Sequence, residues 1–231
     1  MSRIDSTLKE RVVAQTKATG ILPCIKLHEK DDFISYARAM YEGGARVIEI
    51  TMTTPGVLEA IEAISTEFRG KLFVAAGTVL DAISAREVIL HGGSLIVNPA
   101  VIPDVIQLAD RYNVPVYSGA FTATECLRAM QEGSTMIKIF PAKLGGPAYM
   151  TNLKMVYPEI DLIPSGGISL ENVAEFIRCG ACAVSGARTF MNREKIVAEG
   201  IGWITKQVRQ YIDIISQTKK ICLNFPDGYL R

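Results

Sequence analysis

The chain has 231 residues, 48% of them hydrophobic, enough to bury a large core as one α/β barrel or two small domains; one domain over residues 1–231 is the expectation. Its 25 basic and 24 acidic side chains nearly cancel, so no global field points to nucleic acid or an acidic membrane surface, and small molecules are the expected partners. No apolar run approaches the ~18 residues of a membrane span and the first residues lack an apolar signal core, which reads as a cytoplasmic protein without a membrane partner.

An opening helix over residues 3–18 sets Ile4, Leu8, Val12, Val13 and Thr16 at spacings of three and four, and Gly20 stops it. A strand over 21–26 then leads into a helix over 31–42 that turns Phe33, Ile34, Ala37 and Met40 inward before Gly43-Gly44. The unit repeats as a strand over 46–51 and a helix over about 55–68 with Pro55 in its first turn. Units three to five pair strands at 72–76, 94–97 and 114–117 with helices after Asp81, after Pro103 and over 123–131. The sixth is a strand over 135–139 and a helix through 149–156, the seventh 162–164 and 170–178, and the eighth 182–185 and one long helix over 193–214. Strands separated by helical patterns imply right-handed parallel βαβ units. Eight in succession with no break in composition predict an α/β fold, a (β/α)8 TIM barrel with an extra N-terminal helix; an open doubly wound sheet is the alternative. Residues 216–231 lack helical periodicity, end in Asn-Phe-Pro-Asp-Gly-Tyr-Leu-Arg, and read as a turn-rich tail.

Five cysteines in apolar contexts, an odd number, suit a reducing compartment better than a disulfide framework. Cys179-Gly180-Ala181-Cys182 has redox or zinc spacing, but Gly180 reads as a helix stop and Cys182 as part of the next strand. No second pair exists at zinc spacing, and His28 and His91 stand alone. Packing is therefore the expected role, with no metal and no cofactor.

In a closed barrel the site lies at the C-terminal strand ends, so the polar residues there carry the chemistry. In chain order they are Lys26; Glu49 with Thr51 and Thr53; Gly77-Thr78; Asn98-Pro99; Ser118-Gly119; Lys138; Ser165-Gly166-Gly167; and Ser185-Gly186-Ala187-Arg188. Lys138 stands between Ile137 and Ile139 and is followed by Phe140-Pro141, where proline ends the ladder. It is either a strand-end lysine that snorkels to solvent or an amine desolvated enough to shed its proton and attack a carbonyl carbon. Glu49, between Ile48 and Ile50, is either a buried structural ion-pair partner or a general base. Ser165-Gly166-Gly167-Ile168-Ser169 has the backbone freedom of an anion cradle, with Ser169 as the cap of the following helix and Glu171 in its first turn; it is also an ordinary connector by type.

Five blocks, Val47-Ile48-Glu49-Ile50-Thr51, Ala76-Gly77-Thr78-Val79-Leu80, Asn98-Pro99, Lys138-Ile139-Phe140-Pro141-Ala142 and Ser165-Gly166-Gly167-Ile168, resemble in order and spacing the class I aldolases of 2-keto-3-deoxy-6-phosphogluconate, its galactonate epimer and 4-hydroxy-2-oxoglutarate. The resemblance covers about residues 20–190. It implies that Lys138 is the Schiff-base lysine, Glu49 the general acid and base, Thr78 a ligand of the pyruvate carboxylate, and Pro99 and Phe140 walls of the pyruvate pocket. It also implies a homotrimer that takes a keto-acid substrate without a metal. Lys26 stands where many members carry an anion-anchoring arginine, and Thr53 where others do, so this chain has neither. Ser165 replaces a more usual threonine before Gly166 and Gly167, Ala187 falls where a serine often holds the distal phosphate, and Lys143 where an acidic residue is frequent. The competing readings are a phosphate-binding barrel of another reaction type, such as an epimerase or synthase, and a barrel that only binds.

Overall fold

The computed structural model describes residues 6–25 and 32–224. Lys26, His28 and the proposed helix start at residue 31 lie outside the described residues, as do residues 1–5 and 225–231. Within them eight strands alternate with helices: β1 (Ile21–Ile25), β2 (Val47–Thr51), β3 (Phe73–Gly77), β4 (Leu95–Val97), β5 (Val116–Ala120), β6 (Met136–Ile139), β7 (Leu162–Pro164) and β8 (Val184–Gly186). All pair in parallel in the order β7-β6-β5-β4-β3-β2-β1-β8. Single bridges Leu162 to Ala181 and Ser165 to Ser185 join the two ends, so the sheet closes as a (β/α)8 barrel.

The extra helix α1 (Leu8–Thr19) starts at a reciprocal cap between Thr7 and Glu10 and stops at Gly20, whose φ of 72° is left-handed. It floors the barrel. Val12 is fully buried against the interior residues Leu22, Val47, Ala75, Leu95, Val97, Tyr117, Met136, Ile163 and Ala183, and burying one such side chain is worth about 1.5–3 kcal/mol. The Tyr117 hydroxyl meets Thr16 Oγ1 at 2.9 Å, and burial pushes its proton affinity above the usual phenol range. Cys182 lies at this floor with its thiol 3.4 Å from the Leu162 carbonyl, and burial pushes its pKa up to about 12. A thiol so held is a packing group, not half of a redox pair.

Strand alternation divides the chain's two cores. Ile48, Ile50, Ile137, Ile139, Val74 and Ala76 face outward to the helices, and their neighbours face the interior. The outer layer is α2 (Phe33–Gly43), α3 (Val57–Glu67), α4 (Ala82–Leu90), α5 (Pro103–Arg111), α6 (Ala123–Gln131), α7 (Ala142–Val156), α8 (Val173–Arg178), α9 (Arg193–Glu199) and α10 (Gly202–Asn224).

Several boundaries differ from the sequence reading. The fifth strand begins at Val116, beyond Pro115, which has no N–H to donate, so Ser118 and Gly119 lie within the strand. The eighth strand likewise starts two residues late, at Val184. The single long helix expected over 193–214 is two, α9 and α10, parted at Gly200 with φ 77°. α10 continues through Asn224, so the first part of the expected tail is helical. Lys219 donates to the Lys17 and Cys182 carbonyls and Thr218 is buried, which anchors this extension beside the barrel floor. Ser169 does not cap a helix; its amide donates to Asn172 Oδ1 at 2.9 Å, and the turn so closed carries Glu171 ahead of α8.

Candidate active site

Inward alternation brings Val47, then Glu49, then Thr51 up β2, and Met136, then Lys138, up β6. The apolar members fill the lower barrel; the polar ones open on its upper mouth. Lys138 Nζ lies 3.6 Å from Glu49 Oε1 across the barrel, with the lysine side chain 14% exposed and the glutamate 2%. Oε2 of Glu49 is buried without a hydrogen-bond partner among the described residues. A charge pair this dry is costly to keep unless the site uses it.

Their neighbours form a cavity of about 210 Å³, lined by Cys24, Glu49, Thr51, Thr78, Pro99, Lys138, Phe140, Ser165, Gly166, Ser185, Gly186 and Ala187. Of the sequence-derived candidates, Lys138, Glu49, Thr78, Pro99, Phe140, Ser165, Gly166 and Ala187 thus meet in one place. Gly167 instead lines an adjoining cavity, and Lys26 lies outside the described residues.

The supports are specific. Gly77 has no side chain because Glu49 occupies the space a Cβ would need. Next to it Thr78 holds φ 59°, a conformation β-branched residues avoid, at the one strand end where it reaches the cavity. Asn98, fully buried, donates from Nδ2 to the Val79 carbonyl at 2.6 Å and so ties the Thr78 turn to Pro99. The Phe140 ring is about half exposed, with its centroid 6.0 Å from Lys138 Nζ, at the limit of a cation–π contact. Loops after β6 and β7 are stitched by Ala142 N–H to the Ser165 carbonyl at 2.8 Å and Lys143 N–H to the Gly166 carbonyl at 3.0 Å.

The adjoining cavity, about 420 Å³, shares these loops: Lys143, Gly167, Ser169 and Arg188 line it together with Trp203, Gln207 and Tyr211 of α10. Gln207 donates to the Thr189 carbonyl at 3.2 Å and Thr189 Oγ1 to the Ile168 carbonyl at 2.9 Å, so α10 fixes the loop after β8 against that after β7. The sequence reading missed these α10 side chains, whose distance along the chain hid them, and it missed Cys24. The signal for Cys24 was there: it shares the inward face of β1 with Leu22. Among the described residues no group of three His, Cys, Asp or Glu side chains comes together as a metal site.

The family model for KDPG and KHG aldolase matches residues 12–207. A 2-dehydro-3-deoxy-phosphogluconate aldolase of Treponema pallidum is 33% identical over 196 residues, 84% of this chain and 93% of its own. A 2-dehydro-3-deoxy-6-phosphogalactonate aldolase of Escherichia coli K12 is 34% identical over 157 residues, 68% of this chain and 76% of its own. Among solved structures, a 4-hydroxy-2-oxoglutarate aldolase/2-deydro-3-deoxyphosphogluconate aldolase from TTHB1 superposes with a TM-score of 0.77 at 27% identity, covering 88% of this chain and 98% of that one. A (β/α)8 barrel with these relatives is a lyase, an aldolase. The chain belongs to the KDPG and KHG aldolase family.

Proposed function

We propose that the 210 Å³ cavity is the Schiff-base site of a pyruvate-releasing aldolase, a reading carried by one observation: Lys138 Nζ and buried Glu49 Oε1 face each other at 3.6 Å in it. The neutral amine of Lys138 adds to the C2 carbonyl of a 2-keto acid and water leaves, giving an iminium. Glu49 takes the proton of the C4 hydroxyl while the C3–C4 electron pair flows into the iminium, which releases an aldehyde and leaves an enamine. The same carboxyl group returns a proton to C3, and hydrolysis frees pyruvate and the amine. Thr78 holds the keto-acid carboxylate, and Pro99 and Phe140 flank its methyl end.

The substrate is a 2-keto-3-deoxy-6-phospho sugar acid of the gluconate or galactonate series, or 4-hydroxy-2-oxoglutarate, the classes that relatives' names carry. Its distal anion lies over Ser165, Gly166 and Gly167. Ala187 offers no hydroxyl there, while Lys143 and Arg188, both exposed, supply positive charge beside Gly167. The homotrimer that the resemblance implies has apolar material for subunit contacts in the exposed Ile83, Leu144 and Met155, and a solution mass three times that of the chain would verify it. Five cysteines, none in a disulfide among the described residues, support placement in a reducing cytoplasm.

The test is reduction with borohydride in the presence of pyruvate, followed by peptide mapping. A pyruvate-derived mass on Lys138 is the expected result. Label on Lys26 or Lys143 instead, or none, overturns the assignment.

A further inference from the structure

Three strands present groups to the Glu49 carboxylate. From β6 comes Lys138, with Nζ 3.6 Å from Oε1. From β3 comes Gly77, which offers only room. From β1 comes Cys24, buried at 5% exposure, with Sγ also 3.6 Å from Oε1. Among the described residues the thiol also lies 3.9 Å from the Ile25 carbonyl; of these two acceptors the Glu49 carboxylate is the nearer and the charged one, so it is the better of the two. Oε1 is therefore held from two sides while Oε2, equally buried, has no hydrogen-bond partner among the described residues.

This asymmetry matters once the lysine reacts. An amine that condenses with a keto acid loses water, and its nitrogen, now in a C=N bond, keeps at most one N–H, which points where the imine plane dictates. Its grip on Oε1 weakens at the step at which the carboxylate must be aimed at the substrate. The Cys24 thiol is unaffected by that change. We propose that Cys24 is a positioning residue of the aldolase reaction: its S–H holds Glu49 Oε1 and so presents Oε2 to the carbon that gains and loses the proton. The inference rests on the Lys138 and Glu49 reading of the site. It assigns the two carboxylate oxygens different tasks, Oε1 to be held and Oε2 to carry the proton.

Two measurements on the full-length protein separate positioning from packing. Borohydride trapping with pyruvate reads imine formation alone, and deuterium uptake into the pyruvate methyl group reads imine formation followed by proton transfer. Cys24→Val fills the same space without a donor, and Cys24→Ser keeps a donor on a shorter side chain. The expected result is that Val slows deuterium uptake about tenfold, the scale of one lost hydrogen bond to a charged group, that Ser slows it less, and that trapping stays at the parent rate in both. Packing alone predicts the reverse order, because valine suits this apolar strand better than serine. Uptake in the Val variant at the parent rate, a Ser variant as slow as Val, or trapping that falls in step with uptake would each overturn the proposal. Failure of the parent protein to be trapped at all would overturn the Lys138 reading beneath it, an outcome distinct from those three.

Discussion

Gly77→Ala is the sharpest single test of Glu49, because it changes the carboxylate's position without touching its chemistry. Gly77 lies in β3 with an ordinary strand conformation, so alanine incurs no backbone penalty there. Its new Cβ, however, would overlap Glu49 Oε1 and stand 2.7 Å from Cδ and 2.9 Å from Cγ. Carbon atoms rest comfortably at about 3.5–4.0 Å, so the carboxylate must withdraw by about 1 Å. It cannot withdraw freely, since Lys138 and Cys24 each stand 3.6 Å from Oε1. A misplacement of about 1 Å in a reacting group costs on the order of 10²-fold in rate, and overpacking a tight interior costs about 1–3 kcal/mol of stability. Deuterium uptake into pyruvate, followed by proton NMR, should therefore slow about 10²-fold, while borohydride trapping persists because Lys138 keeps its place. Urea melting should show the modest loss of stability and a cooperative transition. Uptake at the parent rate in a protein shown by mass to carry the alanine would refute the claim that the Glu49 carboxylate, in this position, moves the proton.

Lys138→Arg keeps the charge beside Glu49 but removes the amine that can add to a carbonyl, so both trapping and cleavage should vanish; cleavage surviving in that variant would remove the imine from the mechanism. With Ala187 in place of a hydroxyl and Lys26 where many family members carry a bidentate arginine, kcat/KM for a phosphorylated six-carbon keto acid and for 4-hydroxy-2-oxoglutarate should differ by no more than about thirtyfold, some 2 kcal/mol, and a preference of several thousandfold would show other anchors at work. The Glu125 carboxylate accepts from the Thr122 and Phe121 amides and from the Thr122 hydroxyl, which holds its pKa below the usual carboxylate range. A carboxyl group depressed by folding stabilises the protein above its unfolded pKa and ceases to as pH falls through the folded value. Glu125→Gln should therefore lower the melting temperature at pH 7, and the gap should close as the pH falls through the usual carboxylate range to the depressed folded value, where the parent carboxylate also takes a proton; a gap that is constant with pH would contradict the sign.

The fold was legible because its signals are local and repeated. Each strand such as Arg46-Val47-Ile48-Glu49-Ile50-Thr51 is an apolar run bounded by turn residues, and eight of them alternate with helical patterns. Boundaries slipped where pairing, not composition, decides: Val114 and Pro115 look like strand, yet the ladder of β5 runs from Val116 through Gly119 and Ala120. The tail was misread for a related reason. Residues after Ser216 show little amphipathic rhythm, but Lys219 and Thr218 find partners on α1, β8's approach and their own helix, and tertiary contacts carry the helix on. At the site, Lys138 and Glu49 were visible as charges inside apolar strands. Cys24 was passed over even though alternation puts it on the inward face of β1 with Leu22, because a cysteine in an apolar strand looks like a packing residue until the oxygen beside it is seen.

The distal half of the site resisted reading because its determinants are differences of position, not of residue type. Lys143 and Arg188 each sit one residue beyond a small neighbour, Ala142 and Ala187, in loops that the sequence alone leaves unrelated. In the fold the loops meet. A Cβ on Gly167 would stand 2.5 Å from the Lys143 Cβ, so the lysine stem packs directly over the glycine backbone, and Arg188 enters the same cavity from the loop after β8. Gly166 and Gly167 both hold left-handed φ values, 85° and 86°, that favour glycine; a side chain on Gly167 would block the lysine's approach, and one on Gly166 would crowd the Phe140 ring at 3.3 Å. On the proposed reading, an anion over these glycines is met by backbone and by two exposed charges, a lysine and an arginine, in water that screens them. The pyruvate end is the opposite case, with a buried carboxylate, a strained threonine and a glycine that admits no Cβ. On the proposed reading, specificity follows from that contrast: the end of the substrate that all candidates share faces buried groups, and the end at which they differ faces exposed ones.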